Sequence, residues 1–442
     1  MGRLSLARRA GGARGAEQAR GVEVDITGIA AGGAGVGRLP DGRAVFVHRT
    51  APEDRAAVRL VEEKQRWARG ALLRVLRPGP GRRAAPCPHY ARCGGCTLQH
   101  LTYAAQLRVK RDIVADALRR IGGVEIEVPD VAASPEELGY RNRVSFTLRR
   151  LGGGRVVAGF HEVGRPDRIV DIPACLLAES AVVEVWGRLR AAWGEDARRL
   201  PSGRELRLTL RGTSAGDVAL LVEGGTTVGW PEELLERVPG LAAVWHLPAG
   251  AEEPVLLAGR AMVREVWSDE ALELGGAMFL QVNRGAAARL EAYVLDRAGD
   301  VAGRRVVDAY CGIGVYARRL ARAGARVVGI ERDARAVDAA RAAAPEGAEF
   351  VAGAVEERLG DALPAELVIL NPPRVGLDPA VPALLRRVPP RRLIYVSCDP
   401  ATLARDLARL APVFRARSVR CFDLFPQTAH VETVVELACD TT

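Results

Sequence analysis

From Gly21 to about Pro78 the apolar residues recur with a period of two, in short runs. Val22-Glu23-Val24-Asp25-Ile26 alternates, Ala30 to Gly37 reads as a Gly/Ala loop, and Ala44-Val45-Phe46-Val47 is a brief apolar run. Val58-Arg59-Leu60-Val61 and Ala71-Leu72-Leu73-Arg74-Val75 follow. Short strands broken by glycine turns predict a small β-barrel over 21–79, with Pro78-Gly79-Pro80-Gly81 as a linker. The period then changes. Leu101 to Ile121 carries apolar residues at helical spacing, and about Val124 to Val266 mixes strand-like and helix-like stretches. From about Asn283 the pattern runs helix, strand, glycine turn, helix, strand, which is a doubly wound α/β unit. The expected fold is multidomain: a basic disordered tail over 1–20, the barrel over 21–79, a central α+β domain over 80–282, and a Rossmann-like α/β domain over 283–442.

Composition narrows the partner. At 442 residues the chain is too long for one ordinary domain, and 48% hydrophobic residues suffice for several cores. No apolar run approaches bilayer length. The first twenty residues hold five Arg and one Glu without an apolar centre, which argues against a secretory signal; an Arg-rich transit peptide stays open. The net charge of +9 suggests an anionic partner, and of 63 basic residues only Lys64 and Lys110 are lysine. Clustering says more. Eight basic residues against two acids lie between Val61 and Arg92, and seven against two between Leu138 and Arg168. Nucleic acid is the natural partner for such patches, with solvated faces as the plain alternative. A cytoplasmic monomer without a membrane anchor or an obligate protein partner is expected.

Eight cysteines in so long a chain do not suit a secreted disulfide scaffold; metal or catalytic roles in a reducing compartment fit better. Cys87, Cys93 and Cys96 fall within ten residues, and Gly94-Gly95 lets the backbone curl so that Cys93 and Cys96 can face one ion. Cys175 is the candidate fourth ligand. Four thiolates suit tetrahedral zinc or a [4Fe–4S] cluster, although a structural zinc more often shows a second paired motif.

Arg305-Val306-Val307-Asp308-Ala309-Tyr310 reads as a strand, followed by Cys311-Gly312-Ile313-Gly314-Val315 and a helix. The glycines let the backbone approach a ligand at the helix N-terminus. The next strand ends at Glu331, an acid placed to hydrogen-bond the ribose hydroxyls of an adenosine cofactor. Cys311 reads as packing. The glycine motif alone also permits a dinucleotide. A third strand, Leu367 to Leu370, ends in Asn371-Pro372-Pro373-Arg374, whose prolines stiffen a turn with Asn371 at the cleft. A dehydrogenase needs neither that turn nor a cysteine beyond the following strand, so S-adenosylmethionine is favoured.

That cysteine is Cys398, at the end of the apolar run Leu393-Ile394-Tyr395-Val396. Asp399 and Pro400 follow as an N-cap and a first-turn proline, opening an amphipathic helix. A thiol between a strand end and a helix N-terminus is expected to favour the thiolate.

Together these residues resemble the RNA uracil-5 methyltransferase family, in particular its iron–sulfur branch acting on 23S ribosomal RNA, over nearly the whole chain. The resemblance implies that the barrel is a TRAM domain, an oligonucleotide-binding module. It implies that Cys87, Cys93, Cys96 and Cys175 hold a [4Fe–4S] cluster. Phe279-Leu280-Gln281-Val282-Asn283 matches the segment whose glutamine lies at the cofactor and base site. Tyr310, Val315 and Glu331 match cofactor contacts, Cys398 the nucleophile, and Glu432 in His430-Val431-Glu432-Thr433-Val434 the base. The implied substrate is RNA, ribosomal or else transfer RNA. One position departs: Asn371 stands where the family has Asp. Asn-Pro-Pro before an aromatic residue marks methyltransferases acting on exocyclic amines, but here Arg374 follows. An RNA-binding protein with an inactive methyltransferase domain is the alternative from another class, and the intact cofactor residues argue against it.

Overall fold

The computed structural model describes residues 21–267, 270–275 and 280–440, so the expected tail over 1–20 and Phe279 lie outside the described residues. The chain forms two compact units. Of the described residues, the smaller comprises 21–86 with Cys96–Val109 and Gln427–Ala429, and the larger comprises Cys87–Gly95, those of 110–426 and 430–440.

In the smaller unit, β1 (Val22–Ile29), β2 (Ala34–Arg38), β3 (Ala44–His48), β4 (Arg55–Glu63) and β5 (Trp67–Arg77) close into a barrel of order β1-β2-β3-β5-β4. Inward positions alternate along the strands, and Val24, Ile26, Val45, Val47, Ala56, Val58 and Ala68 fill the interior. The segment Ala30–Gly37, expected as loop, contributes β2. Glycine permits this, because a Cβ at Gly35 would collide with Thr50 and one at Gly37 with Val24. Asp54, wholly buried, fixes the linker by accepting from the amides of Ala51 (2.6 Å) and Gly79 (2.9 Å) and pairing with Arg82 at 2.5 Å. The helix expected over Leu101–Ile121 runs from Tyr103 to Ala117 and ends in a wide turn, Leu118–Gly122.

The larger unit contains two seven-stranded sheets. The first is built from β6 (Arg143–Gly152), β7 (Arg155–Glu162), β8 (Arg165–Asp171), β9 (Glu205–Gly212), β10 (Val218–Glu223), β11 (Leu241–Leu247) and β12 (Val255–Gly259), in the order β12-β11-β10-β9-β6-β7-β8. Strand alternation gives it two unlike faces. Val144, Phe146 and Leu148 of β6 and Leu206, Leu208 and Leu210 of β9 pack with Trp186 and Leu189 of the helix Ser180–Ala192. Phe146 stacks on Trp186 with centroids 4.0 Å apart. The residues between them, Arg143, Ser145 and Thr147 against Arg207, Thr209 and Arg211, form a polar face. A ribbon of β13 (Val263–Trp267) and β14 (Glu270–Leu274) follows.

The second sheet carries β15 (Arg305–Ala309), β16 (Arg326–Glu331), β17 (Ala348–Ala352), β18 (Leu367–Leu370), β19 (Arg392–Ser397), β20 (Phe414–Phe422) and β21 (Glu432–Cys439). Their order is β17-β16-β15-β18-β19-β21-β20; the first five run parallel and β21 is antiparallel to both its neighbours. Near-continuous apolar strands such as Leu367–Leu370 and Leu393–Val396 are buried on both faces, as a sheet between helices requires. The helix Arg284–Ala298 is capped by Asn283, whose Oδ1 accepts from the amide of Ala286 at 3.1 Å. Lys110 and Asp423, both fully buried, pair at 2.5 Å, and Lys110 also donates to the carbonyl of Phe425 at 3.0 Å. The chain between β20 and Glu432 is thereby tied to the helix Tyr103–Ala117.

Candidate active site

The C-terminal edge of the second sheet gathers the residues singled out from the sequence. After β15 the chain turns through Tyr310, Gly312 and Gly314, all with left-handed φ (+64°, +56° and +77°), before the helix Val315–Arg322 begins. Tyr310 holds this conformation without glycine's freedom, a strain common at ligand sites. A Cβ at Gly314 would approach the ring of Phe350 to 2.5 Å, so only glycine fits. Glu331 at the end of β16 accepts from the amides of Gly312 (3.0 Å) and Asp333 (2.9 Å). It locks the glycine turn, and each oxygen retains a second lone pair for a hydroxyl group.

Asp308 lies fully buried beneath the turn, accepting from the amide of Ala317 at 3.0 Å. Burial pushes its pKa up to about 7, and the charge of Glu331 adds to the rise. Burial, with the charges of Asp308 and Glu331, raises the Cys311 thiol well above its ordinary value, so Cys311 is packing rather than a nucleophile. Asn371 follows β18, its amide donating to the carbonyl of Ala309 at 3.3 Å, which sets it beside the Tyr310 turn.

Cys398 and Glu432 meet through strand register. In the antiparallel pair β19–β21, Ser397 lies opposite Thr433, so the next residues along, Cys398 and Glu432, are opposed at the same edge. Asp399 caps the following helix, Pro400–Leu410, by accepting from the amides of Ala401 (3.0 Å) and Thr402 (2.9 Å), and Pro400 occupies the first turn as expected. The expected thiolate is not found. Burial and then the charge of Glu432 push the Cys398 pKa up to about 11, while the guanidinium of Arg374 pulls it down. The thiol is half-buried beside a carboxylate, and both disfavour its charged form. Glu432 itself is 3% exposed, and burial raises its pKa to about 7 against the pull of Arg374. At neutral pH the unliganded site therefore holds a protonated thiol and a carboxyl group poised to take or give a proton.

Arg374 was not foreseen as a partner of this pair; the sequence offered only a cation where amine methyltransferases carry an aromatic ring. Its loop is held in place by Asp406, which is fully buried and accepts from the Leu377 amide (2.8 Å) and the Tyr395 hydroxyl (2.9 Å). Arg405 adds a bond to the carbonyl of Val375 at 2.8 Å. His430 makes an edge-on contact with Phe425, centroids 5.9 Å apart. Its pKa falls to about 4, through burial and then the charges of Arg374, Lys110 and Arg141.

Gln281 is positioned through its backbone: its carbonyl accepts from Asn142 Nδ2 at 3.1 Å, and the Asn142 amide donates to the carbonyl of Val282 at 3.0 Å. Two residues on, Asn283 donates to the carbonyl of Leu424 at 3.3 Å, linking this segment to the chain that leads to Glu432. Asn142 could have been suspected only as a polar residue buried within the second basic patch.

The cysteines Cys87, Cys93 and Cys175 belong to the larger unit and Cys96 to the smaller. Cys93 is buried, accepts from the Gly95 amide at 3.3 Å, and packs in the cluster that Cys175 also borders. Burial chiefly, with a contribution from the nearby Cys87, raises the Cys175 pKa. All-thiol donors suit a soft metal or an iron–sulfur cluster. Among the described residues no three Cys, His, Asp or Glu side chains stand grouped as metal ligands.

A doubly wound sheet with a glycine turn after its first strand, and a thiol–carboxyl pair two strands away, defines the class of α/β methyltransferases. Residues 358–439 match the family model described as tRNA (uracil-5-)-methyltransferase, and residues 16–73 match the TRAM domain. The chain is 37% identical to an RNA methyltransferase of Gloeobacter violaceus, over 95% of this chain and 97% of that one. It is 36% identical to another from Thermosynechococcus vestitus, over 95% and 98%. Its fold is similar to the crystal structure of the Pyrococcus abyssi tRNA (uracil-54, C5)-methyltransferase in complex with S-adenosyl-L-homocysteine: TM-score 0.72, 27% identity, 95% of this chain and 100% of that one. The chain belongs to the RNA uracil-5 methyltransferase family and is an RNA methyltransferase. No helix among the described residues is long and apolar enough to cross a membrane.

Proposed function

We propose that this enzyme methylates carbon 5 of a uridine in RNA through a covalent adduct between Cys398 and carbon 6 of the base. The observation that carries the reading is the β19–β21 register, which opposes Cys398 and Glu432 at the sheet edge holding the glycine turn. S-adenosylmethionine, bound about Tyr310, Gly312, Gly314, Val315, Glu331, Asn371 and Gln281, supplies the methyl group. Carbon 5 of uracil is a poor nucleophile. Once the Cys398 thiol has given up its proton to solvent, bonding of the thiolate sulfur to carbon 6 moves the ring's electrons to an enolate, and carbon 5 then takes the methyl group. After methylation Glu432 takes the carbon-5 proton, the carbon 5–carbon 6 double bond reforms, and the thiolate leaves. Arg374 stabilises the thiolate at both ends of the cycle, and the uridine reaches the pair only by leaving its stack.

The target favoured by the cluster-type cysteines is 23S ribosomal RNA, a step in rRNA processing in the cytoplasm. Transfer RNA is the second reading, supported by the tRNA substrate of the Pyrococcus abyssi relative. Cys87, Cys93, Cys96 and Cys175 are the proposed ligands of a structural [4Fe–4S] cluster that takes no part in the chemistry; anaerobically purified protein then contains iron and sulfide, and stoichiometric zinc without iron rejects it. Two experiments test the main reading. Wild type should trap 5-fluorouridine RNA covalently and Cys398→Ala should not; full methylation by the Ala variant defeats the mechanism. Mapping 5-methyluridine in RNA from a deletion strain decides between the two RNAs.

A further inference from the structure

On the polar face of the first sheet, β6 and β9 bring four donor side chains to one corner. Arg143 lies directly opposite Arg211, and the Gly212 amide donates to the carbonyl of Asn142 at 2.7 Å; Arg141 and Thr213 are the next residues on the same face of each chain, Arg141 itself bridging Ala178 and Asn283. Arg211 is only 7% exposed. Its Nη1, the Nε of Arg141 and the Oγ1 of Thr213 are all buried without a hydrogen-bond partner. No side-chain hydrogen bond or ion pair from Arg141, Arg143 or Arg211 is found among the described residues. A buried donor left unmade is destabilising, and three in one corner imply an absent acceptor.

The nearby carboxylates are already engaged. Glu265 takes Arg284 at 2.8 Å and the Ser214 amide at 3.2 Å, and Glu223 pairs with Arg207 at 3.2 Å. Arg143 and Arg211, opposite each other, repel: burial and the charge of Arg143 push the Arg211 pKa down to about 9. Only an anion relieves both the repulsion and the unmet donors. Guanidinium forks beside a hydroxyl fit the oxygens of a phosphate better than a single carboxylate. The corner also adjoins the chemistry. Asn142, between Arg141 and Arg143, braces Gln281 and Val282, and the charge of Arg141 is felt by His430 two residues from Glu432.

The geometry points to a phosphate-binding site made by Arg141, Arg143, Arg211 and Thr213, which grips the RNA backbone beside the uridine being methylated. This rests on the RNA reading above and adds the residues that hold the strand while one base is turned out.

The test uses the full-length protein, a 23S rRNA transcript and bulk tRNA as probes, and filter binding across a salt series. Arg211→Gln is expected to weaken both RNAs about tenfold and to lower the slope of log affinity against log salt by about one. Thr213→Val is expected to weaken both about threefold, at an unchanged melting temperature. S-adenosylmethionine affinity should stay unchanged in both. Unaltered RNA affinity in Thr213→Val and Arg211→Gln overturns the site, and so does a loss confined to S-adenosylmethionine, which would assign the corner to the cofactor's carboxylate. Should Arg211→Gln fail to fold, Arg143→Gln carries the same test. Wild type that binds neither RNA defeats the RNA reading itself; wild type that binds while the variants bind equally defeats only this site.

Discussion

The turn after β15 and the strand end at β19 lie on one sheet edge, yet they are built on different principles. The first is a backbone site, whose shape comes from two glycines, a strained Tyr310 and amides held by Glu331. The second is a side-chain site, where burial, Glu432 and Arg374 shift Cys398, and burial and Arg374 shift Glu432. Each also contains a partly buried thiol. Cys311 sits among carboxyl groups with no opposing cation, and Cys398 sits between a carboxyl group and a guanidinium. Burial raises both thiols, and their charged neighbours then set them apart.

The largest expected break in this contrast is Glu432→Gln. It should slow turnover by about 10²–10⁴-fold while protein–RNA adduct accumulates on denaturing gels; unchanged turnover removes Glu432 from its role. Next is Arg374→Ala. The guanidinium favours both charged forms, so its loss should raise the Cys398 pKa above about 11 and that of Glu432 above about 7. The pH at which Cys398 is alkylated by iodoacetamide should therefore move upward, with methyl transfer falling about tenfold and Arg374→Lys restoring part of it. An unmoved alkylation profile would separate Arg374 from the thiol. The smallest effect belongs to Cys311→Ala, expected to alter kcat/KM less than about threefold in a methyl-transfer assay.

Much of the fold was legible because it depends on local pattern. Strand β19, the Asp399 cap with Pro400 behind it, and the glycine turn are each written within a few consecutive residues. The segment over 30–37 was misread because its strand depends on glycines packing against Thr50 and Val24, which no local window reveals. The site divided likewise. The position of Cys398 was readable, but its charge was not, since Glu432 arrives from a strand beginning far along the chain and Arg374 from the loop after β18. The orphaned donors at Arg141, Arg211 and Thr213 come together only through the pairing of β6 with β9, which are distant in sequence.

The scarcity of lysine becomes useful once Lys110 is seen to be sealed against Asp423. Its amine is fully buried and bound on two sides, whereas Lys64, between β4 and β5, has a side chain 57% exposed. Among lysine side chains an amine-reactive dye or surface linker therefore meets a single address, in the turn between β4 and β5 of the barrel. Lysine-directed labelling at that address needs no engineered cysteine.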